Sequence, residues 1–206
     1  MKKLLLLPLA LTFAANAANA ANSVDLRVTG TITPAACNIT IDGGDIDLGS
    51  ISAKDLSATE RTYLPTVNKN LTVQCSSATL VGINAINNTV STDLEGDDFG
   101  LGQDANGNSY GWFNVQLQTP TLDSAPGTVL RSTDSGVTWG ASNPDVLFHD
   151  ATSVTSWSTS GGVAPATVTL LNQPIVIKPI IFPEKTFDTS SEITLNGSAT
   201  IELVYL

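Results

Sequence analysis

The sequence predicts an all-β protein, built as a sandwich or a barrel of short strands. Most segments are short, rich in β-branched residues and bounded by Gly, Pro, Asn or Asp. Helix-like composition is confined to residues 52–64, where the apolar spacing supports a turn or two at most. Many short strands separated by turn clusters indicate a single β-domain. The candidate strands are 24–33, 37–41, 67–75, 79–86, 112–118, 128–131, 146–149, 166–171, 174–181 and 193–205.

The chain begins with a pattern typical of a secretory signal peptide. Lys2 and Lys3 precede an apolar stretch at residues 4–15, and an A-x-A motif ends at Ala20. That stretch is too short to span a bilayer, so we interpret it as a cleaved signal. We expect cleavage after Ala20, with the motif ending at Ala17 as the alternative. The mature protein is therefore expected to be exported and soluble.

The charge balance excludes several classes of partner. Removing the two signal lysines leaves seven basic against nineteen acidic residues, a net charge near −12. Nucleic acids and anionic lipids both require basic patches, so neither is an expected partner. Charged residues make up only 14% of the chain, so Thr, Ser, Asn and Gln must cover much of the surface.

Two cysteines, Cys37 and Cys75, are present in the chain. In an exported protein a single pair predicts a disulfide, and two free thiols are the alternative. The disulfide would close a loop of 38 residues. For such a loop the chain-entropy estimate is about 4 kcal/mol of stabilisation. The spacing excludes a CxxC redox pair.

Residues 92–165 differ from the rest of the chain because they are dense in Gly, Asp, Asn and Ser. We predict long hairpins and loops there, decorating one side of the sandwich. Loops of this size are either functional surfaces or are ordered by their own aromatic residues. Two hypotheses remain for the aromatic side chains of this region: they form a platform on which sugar rings stack, or they pack as local cores within the loops. Aromatic residues scattered through this region include Phe99, Tyr110, Trp112, Phe113, Trp139 and Trp157.

Candidates for catalysis and metal binding are weak. His149 is the only histidine, and no serine has the glycines of a nucleophile elbow around it. The residues from Asp104 to Tyr110 alternate oxygen ligands as a calcium loop does, but the glycine comes too early. Val115 also stands where a bidentate glutamate is needed. We therefore expect no enzymatic activity, catalytic residue, metal site or cofactor.

The residues from Ser132 to Trp139 match the S-x-D-x-G-x-T-W pattern of the Asp-box, a hairpin motif of sialidase-type propellers. Its mechanics are local, because the Asp and Ser side chains bond turn amides, Gly supplies a permissive φ and Trp packs beneath. The motif also recurs as a structural hairpin in unrelated folds. A single copy therefore predicts a hairpin and no sialidase activity.

Both ends of the mature chain are patterned as strands with one buried face. Apolar residues alternate with polar ones in the segment SVDLRVTGTIT at 23–33, where chain termini are usually frayed. The apolar row includes Gly30, which leaves a hole in whatever it packs against. The segment ITLNGSATIELVYL at 193–206 alternates in the same way and ends the chain. A strand edge with this pattern usually needs protection or a partner.

These end segments carry a resemblance to a known family. LRVTGTITPAAC at 26–37 resembles the N-terminal signature of chaperone–usher pilins, with Gly30 seven positions before Cys37. The second cysteine and a C-terminal strand with penultimate Tyr205 fit the same family. The glycine-rich middle, FGLG at 99–102 and the ending GSATIELVYL look like the β-type fimbrial subunits.

The resemblance implies an incomplete immunoglobulin-like, Greek-key sandwich that lacks its last strand and carries long hairpin or loop insertions. The missing strand leaves an apolar groove open along the core. A periplasmic chaperone first fills this groove with one of its own strands, and at the outer-membrane usher the N-terminal extension of the next subunit replaces the chaperone strand. This implies a signal peptide at 1–20, a donor extension at 21–33 and a pilin domain at 34–206. Donor positions would be Val24, Leu26, Val28, Gly30 and Ile32. The acceptor and chaperone-binding strand would present Ala199, Ile201, Leu203 and Tyr205, and the disulfide would join the first strand to the second.

The implied function is a structural subunit of a fimbria on the cell surface, with a role in bacterial adhesion. Its partners would be the chaperone, the usher and other subunits, in a homo- or heteropolymer. Two departures concern its position in the fibre. Many pilins have a glycine where this chain has Ile193, the nearest being Gly197, and the 92–165 region lengthens the domain. The alternative is a minor or tip subunit, or a secreted lectin-like adhesin that binds glycan through loops 92–165.

Overall fold

The computed structural model describes residues 27–29, 36–92, 94–142 and 145–206. The predicted signal peptide lies outside these residues, and so do the donor positions Val24, Leu26, Gly30 and Ile32. The chain divides into two units, residues 1–33 and residues 34–206. The fold below is that of the second unit.

The second unit is all-β, as the sequence predicts, and its described residues contain no α-helix. The first six strands are β1 (Cys37–Ile41), β2 (Thr62–Tyr63), β3 (Val67–Thr79), β4 (Val81–Asn87), β5 (Phe99–Gly100) and β6 (Gly111–Leu117). The other six are β7 (Thr121–Leu122), β8 (Ala125–Ser132), β9 (Gly140–Ala141), β10 (Val154–Thr159), β11 (Val168–Ile181) and β12 (Ala199–Tyr205). Two 3-10 turns occupy Ala53–Asp55 and Glu184–Thr186.

The strands form one hydrogen-bonded sheet that folds over itself into two layers, with every pair antiparallel. One layer has β1, β3 and β11 side by side, and β11 also pairs with β2 and β6. The other layer has the order β8, β10, β4 and β12. The layers join at a corner where the short strand β7 pairs with both β11 and β8. Strands β1 and β12 therefore end the sheet, one in each layer. This architecture is compatible with an immunoglobulin-like sandwich.

The core lies between the two layers, and a buried tryptophan forms a hydrogen bond from one layer to the other. Trp157 on β10 is 1% exposed, and its indole N–H donates to the Oε1 atom of Gln173 on β11 at 2.9 Å. The Gln173 amide in turn donates to the backbone oxygens of Gln118 at 2.7 Å and Pro174 at 2.8 Å. Because each buried polar group has a partner, the pair joins the layers without leaving an uncompensated polar atom. The aliphatic core around it includes Leu71, Val73, Val81, Ile83, Val168 and Leu171.

The predicted disulfide is confirmed. Cys37 and Cys75 are bonded, and they stand directly opposite each other on β1 and β3. The bond ties the short first strand to the long strand β3, which is central in its layer. A disulfide is typical of exported proteins, which agrees with the signal-like N-terminus.

Several predicted strand boundaries are wrong. The sequence predicts two strands, 166–171 and 174–181, but β11 continues through residues 172–173 and Pro174 because it pairs with β3 over most of its length. The C-terminal strand begins at Ala199 and not at 193. Residues 146–149 supply only an isolated bridge between Val146 and Gln116. In each case long-range pairing, which local propensity does not encode, sets the boundary.

Strand β10 was not predicted at all. Its sequence, VTSWST, is rich in serine and threonine and resembles a loop, yet all but its last residue are buried. Two of its serines have hydrogen-bond partners: the Ser156 hydroxyl donates to the Val81 oxygen on β4 at 2.7 Å, and that of Ser158 donates to the Gly162 oxygen at 2.9 Å. The strand is buried because chain segments distant in sequence cover it.

Candidate functional site: the groove between the terminal strands

A groove of about 1270 Å³ runs between the two terminal strands, β1 and β12. One wall of the groove is formed by Ile39 and Ile41 on β1, and the other by Ala199 and Ile201 on β12. The apolar floor is formed by Val115 on β6 and by Ile175 and Ile177 on β11. The floor residues are at most 6% exposed, whereas the wall residues are only partly buried. The groove is therefore a lengthwise opening into the core of the sandwich.

The β12 side of the groove presents main-chain groups as well as side chains. At the two ends of the β12–β4 ladder, Asn88 N donates to Ser198 O at 3.0 Å and Leu206 N donates to Leu80 O at 3.2 Å. In an antiparallel ladder the bonded positions alternate, so the even-numbered residues of β12 bond to β4. The odd-numbered residues direct their N–H and C=O groups away from β4. Among the described residues β12 pairs with no other strand.

The β1 side has the same arrangement. Ser76 N donates to Ala36 O at 2.9 Å and Asp42 N donates to Asn70 O at 3.1 Å, so the even-numbered residues of β1 bond to β3. The odd-numbered residues, Ile39 and Ile41 among them, direct their main-chain groups away from β3. Both edges thus expose main-chain donors and acceptors beside an apolar floor, which is the arrangement that pairs with an added strand.

One end of the groove is bridged by a side chain. The Cys37 amide, on the open edge of β1, donates to the hydroxyl of Tyr205 on β12 at 3.0 Å. A whole tyrosine side chain spans the gap here, so β1 and β12 are too far apart for direct main-chain bonding. The bridge marks where the groove ends.

The other end of the groove is walled by a second apolar cluster. Leu101, Tyr110, Phe187 and Ile193 line this end and pack together with Ile181. Tyr110 and Phe187 meet edge to face, with ring centroids 5.4 Å apart. The 92–165 region thus contributes to the groove through residues 101–115.

Gly197 allows the β12 side to approach this cluster closely. A Cβ atom on Gly197 would lie 2.9 Å from the Leu101 Cδ2 atom and 2.9 Å from the Phe113 Cε1 atom. The same segment is held by a bond from Asn196 N to Leu101 O at 3.1 Å. The close packing explains why a glycine stands here.

The predicted acceptor residues fall at different places around the groove. Ala199 and Ile201 line it, Leu203 packs against the core, and Tyr205 forms the bridge at its end. Of the donor positions only Val28 is described, and its side chain is 86% exposed. The β1 wall and the floor were not assigned from the sequence, although the alternation in CNITI at 37–41 could have indicated the wall.

The Asp-box forms the predicted local hairpin. The Asp134 carboxylate accepts from Thr138 N at 2.8 Å and from the Ser132 and Thr138 hydroxyls at 2.6 Å each. The Ser132 hydroxyl accepts from Gly136 N at 2.8 Å, and the Trp139 indole donates to Gly136 O at 3.1 Å. Hydrogen bonds from the Ser132 and Thr138 hydroxyls and the Thr138 amide lower the pKa of Asp134 to about 2. All of these hydrogen bonds join residues of the same hairpin, so the Asp134 carboxylate has a structural role in the turn.

The residues considered for calcium or catalysis are also engaged in local contacts. The Asp104 carboxylate accepts from Asn106 N at 2.8 Å, and from the Asn108 side chain and amide at 2.8 and 2.9 Å. The Asn108 side-chain bond is the main reason that the pKa of Asp104 is lowered. The His149 Nε2 atom lies 2.9 Å from Asp98 O, and its ring packs 5.0 Å from that of Phe99. Within the described ranges, no three His, Cys, Asp or Glu side chains are grouped to hold a metal ion.

The seven aromatic residues of the 92–165 region, Phe148 included, pack inside their loops and the core. Phe99, Trp112 and Trp157 are at most 5% exposed, and the other four are intermediate. Phe99 stacks on Phe113 at 5.2 Å, and Trp112 packs at 4.9 Å from Phe182. These contacts favour local cores over an exposed sugar platform.

None of the helices in the described part of the chain is long and apolar enough to cross a membrane.

Comparison with known proteins shows similarity along nearly the whole chain. A family model described as a protein of unknown function (DUF1120) matches residues 26–122. The uncharacterized protein YhcF of Escherichia coli (strain K12) is 26% identical over an alignment of 228 positions, gaps included, that covers 94% of this chain and 95% of YhcF. Protein GltF of the same organism is 25% identical over an alignment of 245 positions that covers 96% of this chain and 94% of GltF. The chain is thus similar to two E. coli proteins over nearly the whole of each, and the match to the family model begins within the N-terminal alternating segment.

Proposed function

We propose that this protein is a structural subunit of a chaperone–usher fimbria that polymerises by donor-strand exchange and has a role in bacterial adhesion. The observation that carries the proposal is the gap between β1 and β12, which no described strand fills. Both bordering edges direct main-chain groups into the gap, and the floor beneath is the core itself. A strand from another molecule would complete the ladder on both sides and cover the floor.

The N-terminal segment has the chemistry that this gap requires. Its apolar residues alternate with polar ones at 24–32, so one face would enter the groove while the other stays in water. Strand addition of this kind takes its affinity from main-chain hydrogen bonds and its register from alternate side chains. Val28 supports the assignment, because a valine that is 86% exposed is available to pack against another surface.

Assembly begins with export of the chain to the periplasm, where a chaperone occupies the groove. The usher then catalyses exchange with the next subunit before the fibre reaches the cell surface. The subunit acts through binding alone, without catalysis or a cofactor. The packed aromatic residues of loops 92–165 support a subunit role over the lectin-like alternative.

A peptide of residues 22–33 tests the proposal. The isolated mature chain is expected to be unstable or self-associating, because its core is open along the groove. Adding the peptide should raise its Tm sharply, since the added strand covers apolar surface worth about 25 cal/mol per Å². A peptide of the same length with Leu26 and Val28 replaced by Asp is the control and should not bind. A stable monomer that ignores both peptides contradicts the proposal.

A fused variant gives an independent test. Residues 22–33 placed behind Leu206 through a short linker should give a self-complemented monomer that is far more stable than the mature chain. The same fusion with Gly30→Leu should lose most of that gain, because a pocket shaped for no side chain is overpacked. Sedimentation and thermal unfolding measure the two properties. Equal stability of the two fusions would show that Gly30 does not enter the groove.

A further inference from the structure

The side chains that point out of the groove, away from the core, differ in charge between its two borders. On β1 these are Asn38 and Thr40, both uncharged and exposed. On β12 they are Thr200 and Glu202, also exposed, followed by Val204. Glu202 is therefore the single charged side chain on either bordering strand.

The donor segment carries one complementary charge. Arg27 is the only basic residue between the predicted cleavage site and Cys37, and its side chain is exposed. It alternates with the apolar donor positions, so it would point outward when they point into the groove. Asp25 lies two positions away. In a register that places Arg27 beside Glu202, Asp25 therefore falls beside Thr200 or Val204, both uncharged.

Two acceptors without donors, Glu202 and Asn84, are neighbours across the β12–β4 ladder. The Glu202 carboxylate makes no hydrogen bond or ion pair with the described residues. Its neighbour across the ladder is Asn84 on β4, whose Oδ1 atom is buried and accepts no hydrogen bond from the described part of the chain. Among the residues that line the groove, Lys69 is the basic one, and its ammonium already donates to Gly43 O. A guanidinium on the incoming strand would suit the Glu202 carboxylate, because it offers five N–H donors.

We propose that the strand filling the groove comes from a second copy of this chain, and that its Arg27 pairs with Glu202 of the receiving copy. This inference rests on the proposed function. The fibre is then a homopolymer at this subunit contact, and the Arg27–Glu202 pair selects the register of the donor strand. The apolar donor residues supply most of the affinity, and the ion pair discriminates between registers and between donor strands.

Charge reversal in the full mature chain tests the pair. Arg27→Glu and Glu202→Arg place like charges side by side, so each single variant should polymerise roughly five- to tenfold more slowly than the wild type at low salt. The double variant restores opposite charges and should polymerise at nearly the wild-type rate. The differences should shrink between salt concentrations on the order of 0.05 M and 0.5 M. Light scattering and sedimentation follow the reaction.

Two controls separate this pair from general charge effects and from misfolding. Glu60→Arg changes the net charge as Glu202→Arg does, but Glu60 lies on neither of the strands that border the groove, so its variant should behave as wild type. Arg27→Gln removes the attraction without adding repulsion and should give an intermediate rate. Binding of a 22–33 peptide with Arg27 replaced by Gln, which lacks the charge under test, verifies for each variant that the groove is intact.

The outcomes distinguish the inference from the function on which it rests. If the wild type binds no peptide and does not assemble, the proposed function fails. If it assembles and the single reversals match it, or the double variant is not rescued, the Arg27–Glu202 pair is wrong. Peptide binding with a wild-type chain that stays monomeric at all concentrations would mean either insertion of its own strand or a different donor, and would overturn the second-copy assignment.

Discussion

The amide of Cys37 donates a hydrogen bond to the hydroxyl of Tyr205 at 3.0 Å, joining residues 168 positions apart. The bond connects the first strand of the sandwich with the last, across a gap that their main chains do not bridge. Cys37 is also held by its disulfide to Cys75 on β3. The tyrosine therefore fixes the spacing between the two borders of the groove at its closed end.

Replacing Tyr205 by Phe should loosen this end of the groove. Loss of one partly solvated hydrogen bond should lower the free energy of unfolding by about 0.5 to 1 kcal/mol, while the ring contacts remain. Urea unfolding of the self-complemented variant gives the value. Tyr63→Phe is the control, because the Tyr63 hydroxyl makes no hydrogen bond with the described residues and its side chain is 72% exposed. Equal effects of the two substitutions would contradict a structural role for the bridge.

A charge on the groove side of β12 should block assembly. Ile201→Asp places a carboxylate on the apolar wall, where an incoming strand would have to desolvate it. We expect loss of 22–33 peptide binding by calorimetry. Thr200→Asp adds the same charge on the outer face of the neighbouring residue and should bind within about threefold of wild type, as expected for a solvated charge. If the Ile201 variant binds normally, the groove is not the acceptor site.

Gly197 should tolerate no side chain. A Cβ atom there would lie 2.9 Å from Leu101 and from Phe113, so Gly197→Ala should cost about 1 to 3 kcal/mol through overpacking. Gly140→Ala is matched to it, because a Cβ atom on Gly140 meets nothing within 4 Å. Thermal unfolding of both variants in the self-complemented background compares them. A harmless Gly197→Ala would mean that the segment shifts to relieve the contact.

The Asp-box should make stability fall at acid pH. The pKa of Asp134 is lowered to about 2 in the folded chain, below its unfolded value of about 3.9. Its contribution is therefore complete above pH ~4 and is lost as the pH falls through about 2. Asp134→Asn should be less stable than wild type at neutral pH, and the difference should shrink in this window. Asp45→Asn, which removes a carboxylate without hydrogen bonds to the described residues, should leave the pH profile unchanged.

Strand content near the ends of the domain could be predicted because it is locally encoded. The alternation in 37–41 and 199–205 says which side chains share a face, since a strand has a period of two residues. The disulfide could be predicted as well, because a single pair of cysteines in an exported chain most often forms one. The Asp-box also depends only on neighbouring residues, and its hairpin forms as predicted.

Pairing partners and boundaries depended on distant residues. Strand β10 is buried because the sandwich and its loops enclose it, and β11 passes through Pro174 because β3 and β6 lie alongside. The alternation in 37–41 shows which face of β1 is buried, but that this face borders a groove is visible only once β1 and β12 are known to end the same sheet. No local pattern carries that information, because closing a sheet brings together residues far apart in the chain.

By itself the sequence determined an all-β chain with a disulfide and an apolar row at each end. The tertiary structure decided that the two terminal strands face each other across an open core, with Tyr205 spanning the gap. The physical reason is that side-chain alternation is a property of one strand, whereas an unfilled position in a sheet is a property of all its strands together. The gap between β1 and β12 can therefore be recognised only in the folded sheet.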